Sequence, residues 1–185
     1  MKKYFSLIIF FFQILPADAS IKIDIINKLK QTENINFDFI QRINKKTEKG
    51  NCTIFYPKKI FCEYFNKKGK ILVSNGKSLV IKIKSTNGYY YYPLKKTPLN
   101  QILDKEYLIK KIHGLKLIDD DTNSVKFQII EKEQNIDIFF DKETLQLKGW
   151  VTADIYKNIN SMFIFVIKEN QNIDQKIFIL PSQNN

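Results

Sequence analysis

From Ile35 the chain alternates. Ile35, Phe37, Phe39 and Gln41 fall on one side of an extended segment and Asn36, Asp38 and Arg42 on the other, with Ile40 an apolar exception. A period of two marks a strand with one buried face. Short runs of the same kind fill Gly50 to Leu79, cut by Pro57-Lys58-Lys59, Lys67-Lys68-Gly69 and Asn75-Gly76 into a tight antiparallel meander. Asn75-Gly76 suits the centre of a type I′ turn, where both residues need positive φ, so Ile71 to Ser74 should pair with Ser78 to Lys84. Pro57 cannot open a primed two-residue turn, which sends the first hairpin through a longer or bulged loop.

Beyond the meander, Val80 to Lys84 alternates and Asn87-Gly88 turns into Tyr89-Tyr90-Tyr91-Tyr92-Pro93. Packing on a pleated surface is the expected role of these rings, and a stacking platform for bases the minor one. Strands are expected again at Leu115–Ile118, Val125–Glu131, Asn135–Phe140, Leu145–Ala153 and Ser161–Lys168. Ile136, Ile138 and Phe140 share one face, as do Phe163, Phe165 and Ile167.

Helical spacing interrupts this at two places. Ser20 can cap a first helix with Ile21, Ile25, Ile26 and Leu29 on one side. Thr97-Pro98 is a second start, Thr as N-cap and Pro in the first helical position, followed by Leu99, Ile102 and Leu103. Tyr107, Leu108, Ile109 and Ile112 then suggest another short helix ending at Gly114. The chain therefore reads as mainly β with a few α-helices.

The first residues are of another kind. A basic Met1-Lys2-Lys3, an apolar run from Tyr4 to Leu15 and small residues in Ala17-Asp18-Ala19 are the parts of an export signal cleaved after Ala19. Residues 1–19 are thus expected to be a signal peptide and 20–185 one domain, which at this length can bury a core. Removing that segment lowers the formal charge from +11 to +10. The basic balance invites nucleic acid, but Arg42 is the single arginine and the lysines are scattered over turns and alternate strand positions. A solvated basic surface is the expectation, with no nucleic-acid partner.

Little here supports catalysis. His113 stands alone, no glycine loop cradles phosphate, and the Asp119-Asp120-Asp121 run lacks the glycine and distal glutamate of a calcium loop. Cys52 and Cys62 lie on opposite arms of the first hairpin, where an oxidising compartment permits a structural disulfide; two buried free thiols are the alternative. No metal site is expected of two cysteines and one distant histidine. A twisted sheet covered by amphipathic helices encloses either a filled core or an apolar cleft, and periodicity alone does not separate them.

The run Gly50 to Tyr64 with its Pro-Lys-Lys turn, then Ile71-Leu72-Val73-Ser74-Asn75-Gly76-Lys77-Ser78-Leu79, Pro93-Leu94, Thr97-Pro98-Leu99 and Ile102-Leu103, resembles in order and spacing the periplasmic outer-membrane lipoprotein carrier proteins (LolA). Phe39-Ile40-Gln41 resembles their first long strand, and Phe178 to Pro181 their ending. The resemblance implies an incomplete, half-closed antiparallel β-barrel covered by a helical lid. It implies a periplasmic monomer without catalysis or cofactor, which binds the acyl chains of lipoproteins and carries them from the inner to the outer membrane. The implied partners are acylated lipoproteins, an inner-membrane lipoprotein-releasing ABC transporter and an outer-membrane lipoprotein receptor; the alternative is a lipid-binding sensor or receptor of the same fold. Phe37, Phe39, Ile54, Ile60, Leu72, Leu79, Leu99, Ile102, Leu103 and Trp150 become the expected acyl cavity, with Tyr56 and Pro57 at the lid hinge. Two departures stand out. The family has a large apolar pair where Cys52 and Cys62 stand, and an arginine that hydrogen-bonds the lid where Tyr56 stands, whose phenol lacks the charge and the fork of donors.

Overall fold

The structure, a computed structural model, describes residues 17–119, 121–131, 134–153 and 158–183. The expected leader up to Leu15 lies outside them, and the expected cleavage point after Ala19 falls in the first helix, α1 (Ala17–Gln31). Ser20 is thus inside a helix and not its cap.

Among the described residues, eleven strands form one antiparallel sheet: β1 (Asn34–Ile43), β2 (Lys46–Phe55), β3 (Lys59–Tyr64), β4 (Lys70–Asn75), β5 (Ser78–Ile83), β6 (Gly88–Pro93), β7 (Ile118–Asp119), β8 (Ser124–Glu131), β9 (Gln134–Asp141), β10 (Leu147–Ala153) and β11 (Ile159–Glu169). Their order, β6-β5-β4-β3-β2-β1-β11-β10-β9-β8-β7, leaves β6 and β7 as free edges, so the barrel is incomplete. Two short helices, α2 (Leu99–Ile102) and α3 (Lys105–Gly114), join β6 to β7 and lie with α1 on the concave side. This is the half-closed sheet with a helical lid that the resemblance implies.

The alternation in β1 is realised as expected. Ile35, Phe37, Phe39 and Gln41 are all buried, and cross-strand pairing extends their face to Ile54, Cys52 and Gly50 on one side and to Val166, Ile164 and Met162 on the other. Ile136, Ile138 and Phe140 of β9 are buried on the same concave face. In β11 the burial is the reverse of a core role for Phe163, Phe165 and Ile167. They point outward, Phe165 57% exposed, because the bulge-free pairing of Met162 with Gln41 and Ile164 with Phe39 puts the other set inside.

Three of the four tyrosines also depart from expectation. Among the described residues β6 is an edge strand, so Tyr90, Tyr91 and Tyr92 are 49%, 56% and 43% exposed and do not pack in the core, while Tyr89 is half-buried. The Asn75-Gly76 turn is real but shifted by one residue. Gly76 and Lys77 are its two central residues, and of these only Gly76 takes positive φ (+95°). Asn75 ends the strand, and its Oδ1 accepts from the N–H groups of Lys77 and Ser78. The first hairpin closes through the three residues Tyr56 to Lys58, with a cis Tyr56–Pro57 peptide. The strand expected from Leu115 is confined to Ile118–Asp119. After β11 the chain crosses the convex side, where a 3-10 turn at Gln175–Phe178 packs on β3 and β4 and Phe178 meets Phe55 at 6.1 Å between ring centroids.

Candidate functional site

The concave face is filled at one end and open at the other. Phe37, Phe39, Ile54 and Leu103 are almost wholly buried together with Leu108, Ile112, Phe127 and Phe140, under α1 and α3. These four expected cavity residues are therefore core. Ile60, Leu72, Leu79, Leu99, Ile102 and Trp150 line a cleft of about 240 Å³ between β3–β5, β10–β11 and α2. Of the ten residues assigned to the cavity, the structure thus gathers six around an opening.

The cleft also has walls beyond the ten assigned residues: Cys62, Ile81 and Met162, and a polar group of Gln41, Tyr64, Lys70, Thr152 and Asn160. The alternation of β1 marked Gln41 as facing the same side as Phe39, but only the sheet's curl brings β3 and β4 within reach of β10 and β11. Cys52 and Cys62, directly paired across β2 and β3, form a disulfide, and Cys62 stands in the cleft wall.

Lys70 and Glu48 meet beside the cleft, Nζ to Oε2 at 2.5 Å, with Lys46 on the other carboxylate oxygen at 3.0 Å. Burial pushes the Glu48 carboxyl up, but the hydrogen bonds from the two ammonium groups outweigh it and hold the group below its ordinary value. The Lys70 ammonium lies 3.7 Å from the centroid of the Tyr64 ring, a cation–π contact. Burial, reinforced by the nearby Glu48 charge, raises the Tyr64 hydroxyl well above the usual phenol range, so it stays a donor.

The lid is fastened to the turn of the first hairpin. Lys58 adopts a left-handed backbone (φ +67°), uncommon outside glycine. Its N–H donates to the Leu103 carbonyl at the end of α2 (2.8 Å), and its Nζ pairs with Asp104 Oδ2 at 3.0 Å. The other oxygen, Asp104 Oδ1, accepts from the N–H of Tyr107 and caps α3. On the far side the Lys58 carbonyl accepts from Ser74 Oγ (2.9 Å), which locks the two adjacent hairpin turns together. A second tie runs from Gln101 Nε2 to Glu131 on β8, 3.2 Å.

Thr97 is not the cap of α2 as expected: Pro98 stands at the N-cap position, ahead of the first helical residue Leu99, with no side-chain cap bond, and the Thr97 hydroxyl donates backwards to the Leu94 carbonyl. At the expected lid hinge the ring of the buried Tyr56 faces Lys105 Nζ at 5.9 Å, and that ammonium donates to the Thr32 carbonyl just after α1 (2.9 Å). Pro57 is exposed at the turn. Sequence reasoning missed Lys58. Its position directly after the turn proline was the available signal, but the partners it binds come from α2 and α3.

The fastening can be tested directly. Lys58→Ala should speed amide exchange across Leu99–Leu103 by up to about fivefold, as losing a half-exposed ion pair worth at most about 1 kcal/mol would. Asp104→Ala should do more, because the cap of α3 goes as well. Unchanged exchange in both would place the lid's hold elsewhere.

The sequence matches the family model for "Outer membrane lipoprotein carrier protein LolA" over residues 30–180. No curated protein matches it. Among solved structures, an uncharacterized conserved protein from Thermus thermophilus superposes with a TM-score of 0.51 at 10% identity, over 88% of this chain and 94% of that one. MucB gives 0.52 at 9% identity over 91% of this chain, which spans 64% of MucB. A LolA superfamily protein from Nitrosomonas europaea gives 0.45 at 8% identity, over 88% of this chain and 97% of that one. At such identities the two likenesses above 0.5 speak for the fold alone, while the sequence match extends over most of the chain: the protein belongs to the outer membrane lipoprotein carrier protein LolA family.

Proposed function

We propose that this protein is a periplasmic carrier that takes up the acyl chains of lipoproteins and moves them from the inner to the outer membrane, as a monomer and without chemistry of its own. In this reading residues 1–19 are a signal peptide and the carrier starts at Ser20. The observation that carries it is the division of the concave face: side chains fill one end, and the other is an apolar cleft under a helix of only four residues. Each CH₂ buried there gains about 0.8 kcal/mol, so an acyl chain can move between protein cavities down a gradient of affinity. The cleft of about 240 Å³ is smaller than the ~300–1,000 Å³ of drug-sized sites. It suits one chain, and α2 must lift to admit more.

The deciding experiment is a release assay. Inner-membrane vesicles carrying a triacylated lipoprotein and its ABC transporter are incubated with the mature protein and ATP. A soluble one-to-one complex is expected, and it should be lost in Leu99→Asp, which puts a charge on the partly exposed wall of the cleft. ATP-dependent release that Leu99→Asp leaves intact would remove the cleft from the mechanism. Fatty-acid binding without any release would replace the carrier by a lipid-binding sensor or receptor of the same fold.

A further inference from the structure

The cleft is not apolar throughout. Gln41, Tyr64, Lys70, Thr152 and Asn160 meet it near the ends of β1, β3, β4, β10 and β11. The hydrogen bonds among them run in one direction. Tyr64 Oη donates to Gln41 Oε1 (3.0 Å) and Gln41 Nε2 donates to Asn160 Oδ1 (3.0 Å). Asn160 is thereby used as an acceptor at Oδ1, and the remaining polar atom of its amide, Nδ2, is a donor. Lys70 adds an ammonium whose side chain is 14% exposed. Glu48, its partner, does not line the cleft, and neither does Lys46, which reaches Glu48 from the solvent side, so Lys70 is the one charged residue in the cleft wall. An apolar cleft whose polar end holds donors and a single ammonium matches a molecule with a hydrocarbon tail and an oxygen acceptor at its head.

We propose that this polar end, with Lys70 as its principal donor, is a carbonyl-recognition subsite: a single acyl chain lies along Leu72, Leu79, Ile102 and Trp150 with its ester or amide carbonyl oxygen at Lys70. The subsite rests on the acyl-binding reading of the cleft and adds to it a direction of entry and a preference for acyl over alkyl chains. A carrier that merely buried hydrocarbon would have no means of telling the two apart. The same carbonyl is offered by a lipoprotein's acyl group and by a free monoacyl lipid.

Dodecanoyl glycerol and dodecyl glyceryl ether differ essentially in that one carbonyl. Displacement of a fluorescent fatty acid from the mature protein should show the ester binding roughly tenfold tighter than the ether, the worth of one hydrogen bond to a charged group. In Lys70→Met the ester-to-ether ratio should fall to about one, whatever the change in absolute affinity, and Lys70→Arg should preserve the preference. A merely structural Lys70, holding Glu48, would shift both ligands together. Equal binding of ester and ether by the wild-type protein overturns the subsite and leaves the carrier reading standing, and this holds even should Lys70→Met fail to fold. Binding of neither probe overturns both. A triacylated lipopeptide in competition with the ester identifies the source: displacement assigns the subsite to lipoprotein acyl groups, and failure to displace assigns it to free monoacyl lipid.

Discussion

Replacing Gly50 with alanine is expected to lower the stability of the protein by about 3 kcal/mol, the upper end of what overpacking usually costs. Gly50 lies on the concave face directly between its cross-strand partners Phe39 and Tyr64. A Cβ there would collide with the Glu63 carbonyl oxygen and come within 2.6 Å of Phe39 Cε1. The carbonyl belongs to β3, which is paired on both sides, so it yields only if the strand shifts. Nor can the Phe39 ring swing away: it is buried, and its edge meets Tyr64 at 5.0 Å between centroids. The aromatic ring covers the glycine, a known way of keeping a glycine-containing sheet intact. Gly114, at the end of α3, is the control, because a Cβ added there meets nothing within 4 Å. Gly114→Ala should change stability by no more than about 1 kcal/mol, and in the favourable direction. Urea midpoints of the two variants decide the matter; similar midpoints would mean that the floor of the concave face has slack that its packing does not suggest.

The legibility of the fold followed how local its causes are. β1 was readable because its alternation is set by one residue after another, and the positions it marked are the buried ones. Tyr89 to Tyr92 were read as packed because their residue types favour strands, which they do form; exposure came from β6 being the last strand of the open sheet, a property of topology. The Asn75-Gly76 dipeptide marked a turn correctly, but which residue takes the left-handed conformation depended on the register of β4 with β5. The candidate site divides in the same way. Large apolar residues at alternate positions predict a concave face, and all ten assigned residues do line the core or the cleft. Which six border the opening is decided by where α1 and α3 sit, and no periodicity encodes that. Lys58 is the clearest case: an ordinary turn lysine in the sequence, it fastens the lid only because α2 ends and α3 begins beside it.

Removing the disulfide should have the second large effect, and it should reach beyond stability. Cys52 and Cys62 are ten residues apart, and opening so short a loop is expected to lower stability by about 2 to 3 kcal/mol in the double alanine variant. Both positions are buried in the concave face, so the lost sulfur packing adds to the effect, and serine would be worse for leaving two hydroxyls there. The bridge spans the two strands that carry the Tyr56 to Lys58 turn, and that turn holds Leu103 and Asp104. Loosening the hairpin should therefore loosen the lid, and amide exchange over Leu99–Leu103 should rise together with the fall in melting temperature. Wild-type protein in reductant should approach the variant in both respects, while the variant itself should not respond to reductant. A lower melting temperature with unchanged exchange in α2 would show that the bridge stabilises the sheet alone. The lid's hold on Lys58 would then survive on the hydrogen bond between Ser74 and the Lys58 carbonyl, which ties the turn to β4 independently of the sulfurs.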